Sequence, residues 1–185
     1  MTEPHVRPAR SADLESFAAV LGDREFFDDR FERQRKGDGK LFLAWLGPQP
    51  AGAVYLWLEE AEEPAIRDHL PHVPLITHLA VHRGLRRNGV GTALVDAAER
   101  CLVEQGFDRV ALAVQTDNRY AAGLYEKLEY RDWGFGEVTC YARTTLPDGT
   151  VLIEPERCYV RVKNLIPVTP APRTEAWSVG ASHPG

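Results

Sequence analysis

The spacing of apolar positions along this chain changes several times, and each change predicts an element. Residues 5–8 read as a short first strand that Pro8 cuts off. From Ser11, a candidate N-cap, Leu14, Phe17, Ala18 and Leu21 follow at helical spacing, and Gly22 ends the run. Asp23 is placed to cap a second short helix through Phe26, Phe27 and Phe31, which stops before Gly37-Asp38-Gly39. Residues 41–45 and 51–58 are two strands joined across Gly47-Pro48-Gln49-Pro50, a hairpin by spacing. Residues 59–70 are acidic, with room for one helical turn, and Pro71 and Pro74 lead into a strong strand at 75–82.

A loop at 83–88 opens a helix over 89–105, with Val90, Leu94, Ala97 and Cys101 on one stripe and Gly106 at its end. A strand at 109–114, a loop at 115–118 and a helix from Arg119 to about Glu129 follow. Two later strands, near 137–145 and 158–162, are separated by the turn Pro147-Asp148-Gly149 and a short Val151-Leu152-Ile153 run. After Lys163 the chain turns Pro-rich and loses periodicity, so residues 1–163 read as one domain and 164–185 as a dangling tail. The order β-α-α-β-β-β-α-β-α-β-β is an α/β (mixed α+β) pattern. It predicts a central, twisted, mixed but mostly antiparallel sheet of about seven strands, with helices on both faces and two right-handed crossovers.

Composition narrows the classes. The 185 residues, 44% hydrophobic and 26% charged, suffice for one domain with a sizeable core. A net charge of −5 argues against a dedicated nucleic-acid binder. No apolar run approaches the roughly 18 residues of a membrane helix, and the start MTEPHVRPAR has no apolar signal segment. Cys101, Cys140 and Cys158 are too few and too scattered for a disulfide framework or a zinc knuckle. The expectation is a cytoplasmic protein with no metal and no membrane or nucleic-acid partner, as a monomer or homodimer.

The most informative stretch is Leu79-Ala80-Val81-His82-Arg83-Gly84-Leu85-Arg86-Arg87-Asn88-Gly89-Val90-Gly91-Thr92. A buried strand runs into a basic, glycine-containing loop that opens a helix, whose free N–H groups and partial positive charge suit a phosphate. Gly89 and Gly91 let a ligand approach the main chain, and Arg86 and Arg87 add forked donors. A Walker loop would need Gly-Lys-Ser/Thr, which is missing, and the dinucleotide fingerprint has a different order of glycines. By itself the loop is also compatible with a plain strand-to-helix turn whose arginines are solvated.

The second half is Asn118-Arg119-Tyr120-Ala121-Ala122-Gly123-Leu124-Tyr125-Glu126-Lys127-Leu128-Glu129-Tyr130. With L-x-V before R-x-x-G-x-G, and N-x-x-A-x-x-L-Y-E-K-L-x-Y after the next strand, the chain resembles the GNAT superfamily of acyl-CoA-dependent N-acetyltransferases over roughly residues 5–163. The resemblance implies acetyl-CoA as co-substrate. Its pantetheine arm would bond the backbone of Leu79, Ala80 and Val81, and its diphosphate would sit on amides of Arg86, Arg87, Asn88, Gly89, Val90, Gly91 and Thr92. Arg83 stands where the family commonly has Pro, and Arg87 and Glu129 where it has Gly; Arg87 keeps its amide, while Glu129 puts the helix-end geometry in question.

Acetyl transfer to an amine needs a neutral amine, donors for the oxyanion and a proton for the departing thiolate. The resemblance gives the last task to Tyr125, a phenol that stays protonated at neutral pH, against a plain packing role beside Leu124 and Leu128. His78 is the candidate base, or equally a hydrogen-bonded structural histidine, with Glu59 and Glu60 as alternatives acting through water. A backbone amide near Leu79 to Val81 is the expected oxyanion donor. Asn118 touches the pantetheine arm, caps its helix, or both. The cysteines read as buried and inert, so transfer is expected to be direct.

Two acidic clusters, Asp23, Glu25, Asp28 and Asp29, and Glu59, Glu60, Glu62 and Glu63, are either solvated faces or an attraction for a cationic amine, with Glu25 and Glu59 as candidate acceptor-binding residues. Phe26, Phe27, Trp45 and Trp57 wall a pocket or belong to the core. Three functions stay open: an N-acetyltransferase for a small cationic amine such as an aminoglycoside-type antibiotic or a polyamine, a protein or peptide N-acetyltransferase, and a non-catalytic acetyl-CoA sensor.

Overall fold

Alternation along the central strands sends their apolar residues to two opposite faces, and each face is covered by its own helices. The computed structural model describes residues 2–165. Its elements are β1 (Pro4–Pro8), α1 (Leu14–Leu21), α2 (Arg24–Lys36), β2 (Gly39–Leu46), β3 (Gln49–Trp57), α3 (Pro64–His69), β4 (Leu75–Val81), α4 (Val90–Glu104), β5 (Arg109–Gln115), α5 (Arg119–Lys127), β6 (Arg131–Thr145) and β7 (Val151–Asn164). Leu41, Leu43, Ala53 and Tyr55 pack with Phe17 of α1, Phe27 of α2 and Ile66 of α3. Phe42, Ala44, Val54 and Leu56 pack instead with Val90, Leu94 and Leu102 of α4 and Tyr125 of α5.

The seven strands form one sheet in the order β1-β2-β3-β4-β5-β7-β6. Every neighbouring pair is antiparallel except β4–β5. That parallel pair meets only at Leu75 and Ala111, so the two strands splay apart beyond it and the rest of β4 has no ladder partner on that side. β4 also carries a bulge: Ala53 and Tyr55 of β3 oppose Ala80 and Thr77, which leaves His78 and Leu79 facing a single residue, with His78 at φ +50°. The chain from β5 to β6 crosses over β7, which inserts between them.

Several boundaries differ from the sequence pattern for local reasons. Ser11 does not cap α1. A 3₁₀ turn at Ser11–Asp13 precedes it, and the Asp13 carboxylate accepts from the Arg10 N–H at 2.7 Å and from the Arg7 guanidinium at 2.7 and 2.8 Å. Asp23 caps α2 as expected, accepting from the Phe26 N–H at 3.0 Å. β6 begins at Arg131 rather than near residue 137, because Gly134 and Gly136, at φ +86° and +79°, take up a ladder irregularity that breaks the alternation. β7 begins at Val151 and absorbs the Val151-Leu152-Ile153 run. It also extends to Asn164, paired with Arg109, and Leu165 is buried, donating its N–H to Asp108 at 2.7 Å. Residues 166–185 of the expected tail lie outside the described residues.

Candidate active site

The splay between β4 and β5 opens a cleft of about 750 Å³. Its walls come from α2 (Phe26, Arg30), β4 (Thr77, His78, Leu79), β5 (Val114), α5 (Asn118, Tyr125) and the β6–β7 hairpin (Tyr141, Arg143). The hairpin bends over the start of α2, where Arg143 pairs with Glu25 at 3.4 Å and the Thr145 hydroxyl donates to Glu25 at 3.2 Å.

Beyond the end of β4, the loop before α4 has the form an anion needs. Arg87 and Gly89 sit at φ +65° and +76°, turning successive amides toward the helix start. The Asn88 side chain locks this turn by donating to the carbonyls of Leu85 and Arg86, each at 3.1 Å. Gly91 carries no Cβ, and one built there would meet Leu124 Cδ2 at 3.2 Å, so α4 and α5 approach closely beside the loop. Arg86 and Arg87 are exposed and have no carboxylate partner among the described residues. These features, with the unpaired edge of β4 behind them, fit the diphosphate and the extended amide-bearing arm of coenzyme A. Leu79 lines the cleft, while Ala80, Val81 and the run from Arg86 to Thr92 continue the chain beyond its lining.

Tyr125 lies inside the cleft. Asn118 precedes α5, and its side chain accepts the Ala121 N–H at 3.0 Å, confirming the cap. Tyr125 is 6% exposed and lines the cleft, and burial raises its pKa above the ordinary phenol value, so it stays protonated and can donate. No group among the described residues takes its hydroxyl proton. The helix ends with Glu129 at φ +69°, the conformation that glycine adopts freely; the substitution keeps the helix-end geometry.

His78 lines the cleft as an exposed residue, with the Phe26 ring stacked on it at 3.7 Å. Desolvation, opposed by Asp23 and reinforced by Arg30, lowers its pKa from 6.5 to about 4. The imidazole is therefore neutral at physiological pH.

The candidate acceptor residues separate. Glu25 lines the cleft. Glu59 does not; Arg33 holds it at 2.6 Å, because α2 brings that guanidinium to the end of β3. Glu62, Glu63 and Glu156 line the cleft instead and form no ion pair among the described residues. Phe27 is core, whereas Phe26 and the largely buried Trp57 both form wall, with Arg30 held over the rings of Phe26, Tyr55 and Trp57 at 5.2, 5.1 and 5.4 Å. Cys140 and Cys158, read as plain core residues, both line the cleft. Cys158 is only 3% exposed, and hydrogen bonding to it, burial and Glu63 together raise the Cys140 pKa. Of these, Glu156 and the thiol pair lack a local signal; only the pairing of Cys140 with Glu156 across β6 and β7 reveals them. Among the described residues no group of three His, Cys, Asp or Glu side chains is arranged to hold a metal, and no helix is long and apolar enough to cross a membrane.

The chain is similar to N-alpha-acetyltransferase 30 of Homo sapiens, 36% identical over 89 residues, which are 48% of this chain and 23% of that protein. The matched stretches cover less than two fifths of the curated relatives, from 23% to 39% of their lengths. Its fold is similar to that of an N-acetyltransferase from Staphylococcus aureus, with a TM-score of 0.66 at 13% identity over 89% of this chain and 100% of the other. It is also similar to Arabidopsis thaliana NAA60 in complex with acetyl-CoA, with a TM-score of 0.64 at 20% identity over 87% and 98% of the two chains. The model of the acetyltransferase (GNAT) family matches residues 7–130, from the first strand to the end of the Tyr125 helix, and the chain belongs to that family.

Proposed function

We propose that the protein is an N-acetyltransferase that moves the acetyl group of acetyl-CoA directly to a primary amine of a small cationic acceptor. The observation that carries this reading is the meeting, in one cleft, of the buried Tyr125 phenol, the open edge of β4 and three carboxylates, Glu62, Glu63 and Glu156, that form no ion pair among the described residues. Acetyl-CoA, when bound, supplies the activated acyl group. The amides from Arg86 to Thr92 hold its diphosphate, and the backbone of Leu79 to Val81 bonds its arm. The bulge at His78 and Leu79 frees a main-chain donor for the developing oxyanion. Tyr125 donates toward the departing sulfur.

His78, neutral but with a pKa of about 4, is too weak a base to strip an ammonium of pKa about 10. It accepts a hydrogen bond from the amine, which attacks as its neutral fraction; the proton that the nitrogen loses after attack passes through water to the solvent, and the carboxylates attract the cationic groups of the acceptor. The burial of Cys158, only 3% exposed, supports direct transfer over a thioester intermediate.

A second reading, acetylation of a peptide or protein N-terminus, rests on two observations: the likeness to N-alpha-acetyltransferase 30, and the exposed Tyr141 and Ile153 on the hairpin rim, an apolar bed suited to a peptide chain. Thiol release from acetyl-CoA, measured with polyamines, aminoglycosides and peptides bearing free N-termini, tests both. Turnover of the small amines is expected. Turnover of peptides alone would replace the first reading with the second, and none at all, with acetyl-CoA still bound, would leave a binding module.

A further inference from the structure

Tyr120 is the second residue of α5, and its ring is 59% exposed. Apart from Val20, the other large exposed apolar side chains among the described residues all belong to β6 and β7, so an exposed aromatic ring here is out of pattern. It stands beside the anion loop: the Arg86 guanidinium lies 5.8 Å from the ring centre, joining the start of α5 to the loop before α4. The charge around it is also out of pattern. Arg83, Arg86, Arg87 and Arg119 are exposed without a carboxylate partner among the described residues, in a chain whose net charge is −5. A diphosphate resting on the α4 amides does not use the face of an aromatic ring. A purine attached to that diphosphate does, because a base stacks on an aromatic side chain and a neighbouring guanidinium reinforces the stack.

Resting on the reading of the loop as the coenzyme A site, we infer that Tyr120, braced by Arg86, is the platform on which the adenine of coenzyme A stacks, with the surrounding arginines facing the phosphates of its nucleotide end. The protein would then recognise coenzyme A at two separate places. The β4 edge would take the pantetheine arm, and the start of α5 would take the base.

The test is calorimetry with two ligands, coenzyme A and phosphopantetheine, which is the same arm without the nucleotide. Tyr120→Leu is expected to weaken coenzyme A binding about tenfold, the scale of one base–aromatic stack. Binding of phosphopantetheine is expected to be unchanged, and Tyr120→Phe, which keeps the ring, should restore coenzyme A affinity. Thermal melts of both variants confirm that they fold. Unchanged coenzyme A affinity in a folded Tyr120→Leu variant would overturn the inference alone. A parallel loss for both ligands would also overturn it, by showing a structural role for the ring. Failure of the wild-type protein to bind coenzyme A would instead remove the reading of the loop itself, and this inference with it.

Discussion

The carbonyl of Tyr125 accepts the N–H of Tyr130 at 2.9 Å, and the two rings meet edge to face with their centres 5.6 Å apart. The turn that ends α5 therefore fixes both the backbone and the ring of the proposed proton donor. Replacing the hydroxyl alone, in Tyr125→Phe, keeps that packing. Turnover is expected to fall about a hundredfold or more while acetyl-CoA affinity stays unchanged. Equal loss of both, measured by steady-state kinetics beside calorimetry, would count against the donor role.

Tyr130 is itself held from the other side. Its hydroxyl donates to Glu99 at 2.8 Å, and Lys163 pairs with the same carboxylate at 2.8 Å, so α4, the turn after α5 and β7 meet at one half-buried point. Tyr130→Phe removes a hydrogen bond to a charged acceptor and should cost about 1.5–3 kcal/mol in denaturant unfolding. Unfolding at the wild-type midpoint would show that the Glu99 contact contributes nothing.

Glu129 and Arg87 occupy left-handed backbone, at φ +69° and +65°, without being glycine. An L-residue pays there for its Cβ, and glycine does not. Glu129→Gly, away from the loop, should raise stability by about 0.5–1 kcal/mol after the added freedom of the unfolded chain is deducted. A lower melting temperature would mean that the Glu129 side chain makes a stabilising contact that outweighs the strain.

His78 should titrate near pH 4 rather than near its ordinary value of 6.5. Between those two values the unfolded chain binds more protons than the native one. This residue's contribution to stability therefore rises with pH through that window and is lost on acidification. NMR titration of the imidazole gives the midpoint directly. The same reasoning predicts that kcat/KM shows no inflection near 6.5 that disappears in His78→Gln; such an inflection would restore His78 as an ordinary general base.

How much of this is legible in the sequence follows from how local each feature is. The loop from Arg86 to Thr92 and the helix from Asn118 to Tyr130 are contiguous, so their turn residues, caps and motif spacing all lie within a few positions of one another. Pairing is not local. The insertion of β7 between β5 and β6, and the splay after Leu75 and Ala111, depend on partners far apart in the chain. The same holds for the acceptor side. Glu59 looks equivalent to Glu62 and Glu63 along the sequence, yet Arg33 from α2 neutralises it and leaves the other two lining the cleft. His78 reads as a base until the Phe26 stack and the bulge are seen.

The claim on which the rest depends is that the splayed edge of β4 and the turn before α4 together bind coenzyme A. Amide NMR spectra recorded as coenzyme A is added test it most directly. Saturable shifts concentrated at Leu79 to Val81 and at Arg86 to Thr92 are expected. Spectra that do not change, or shifts confined to other parts of the chain, would contradict it.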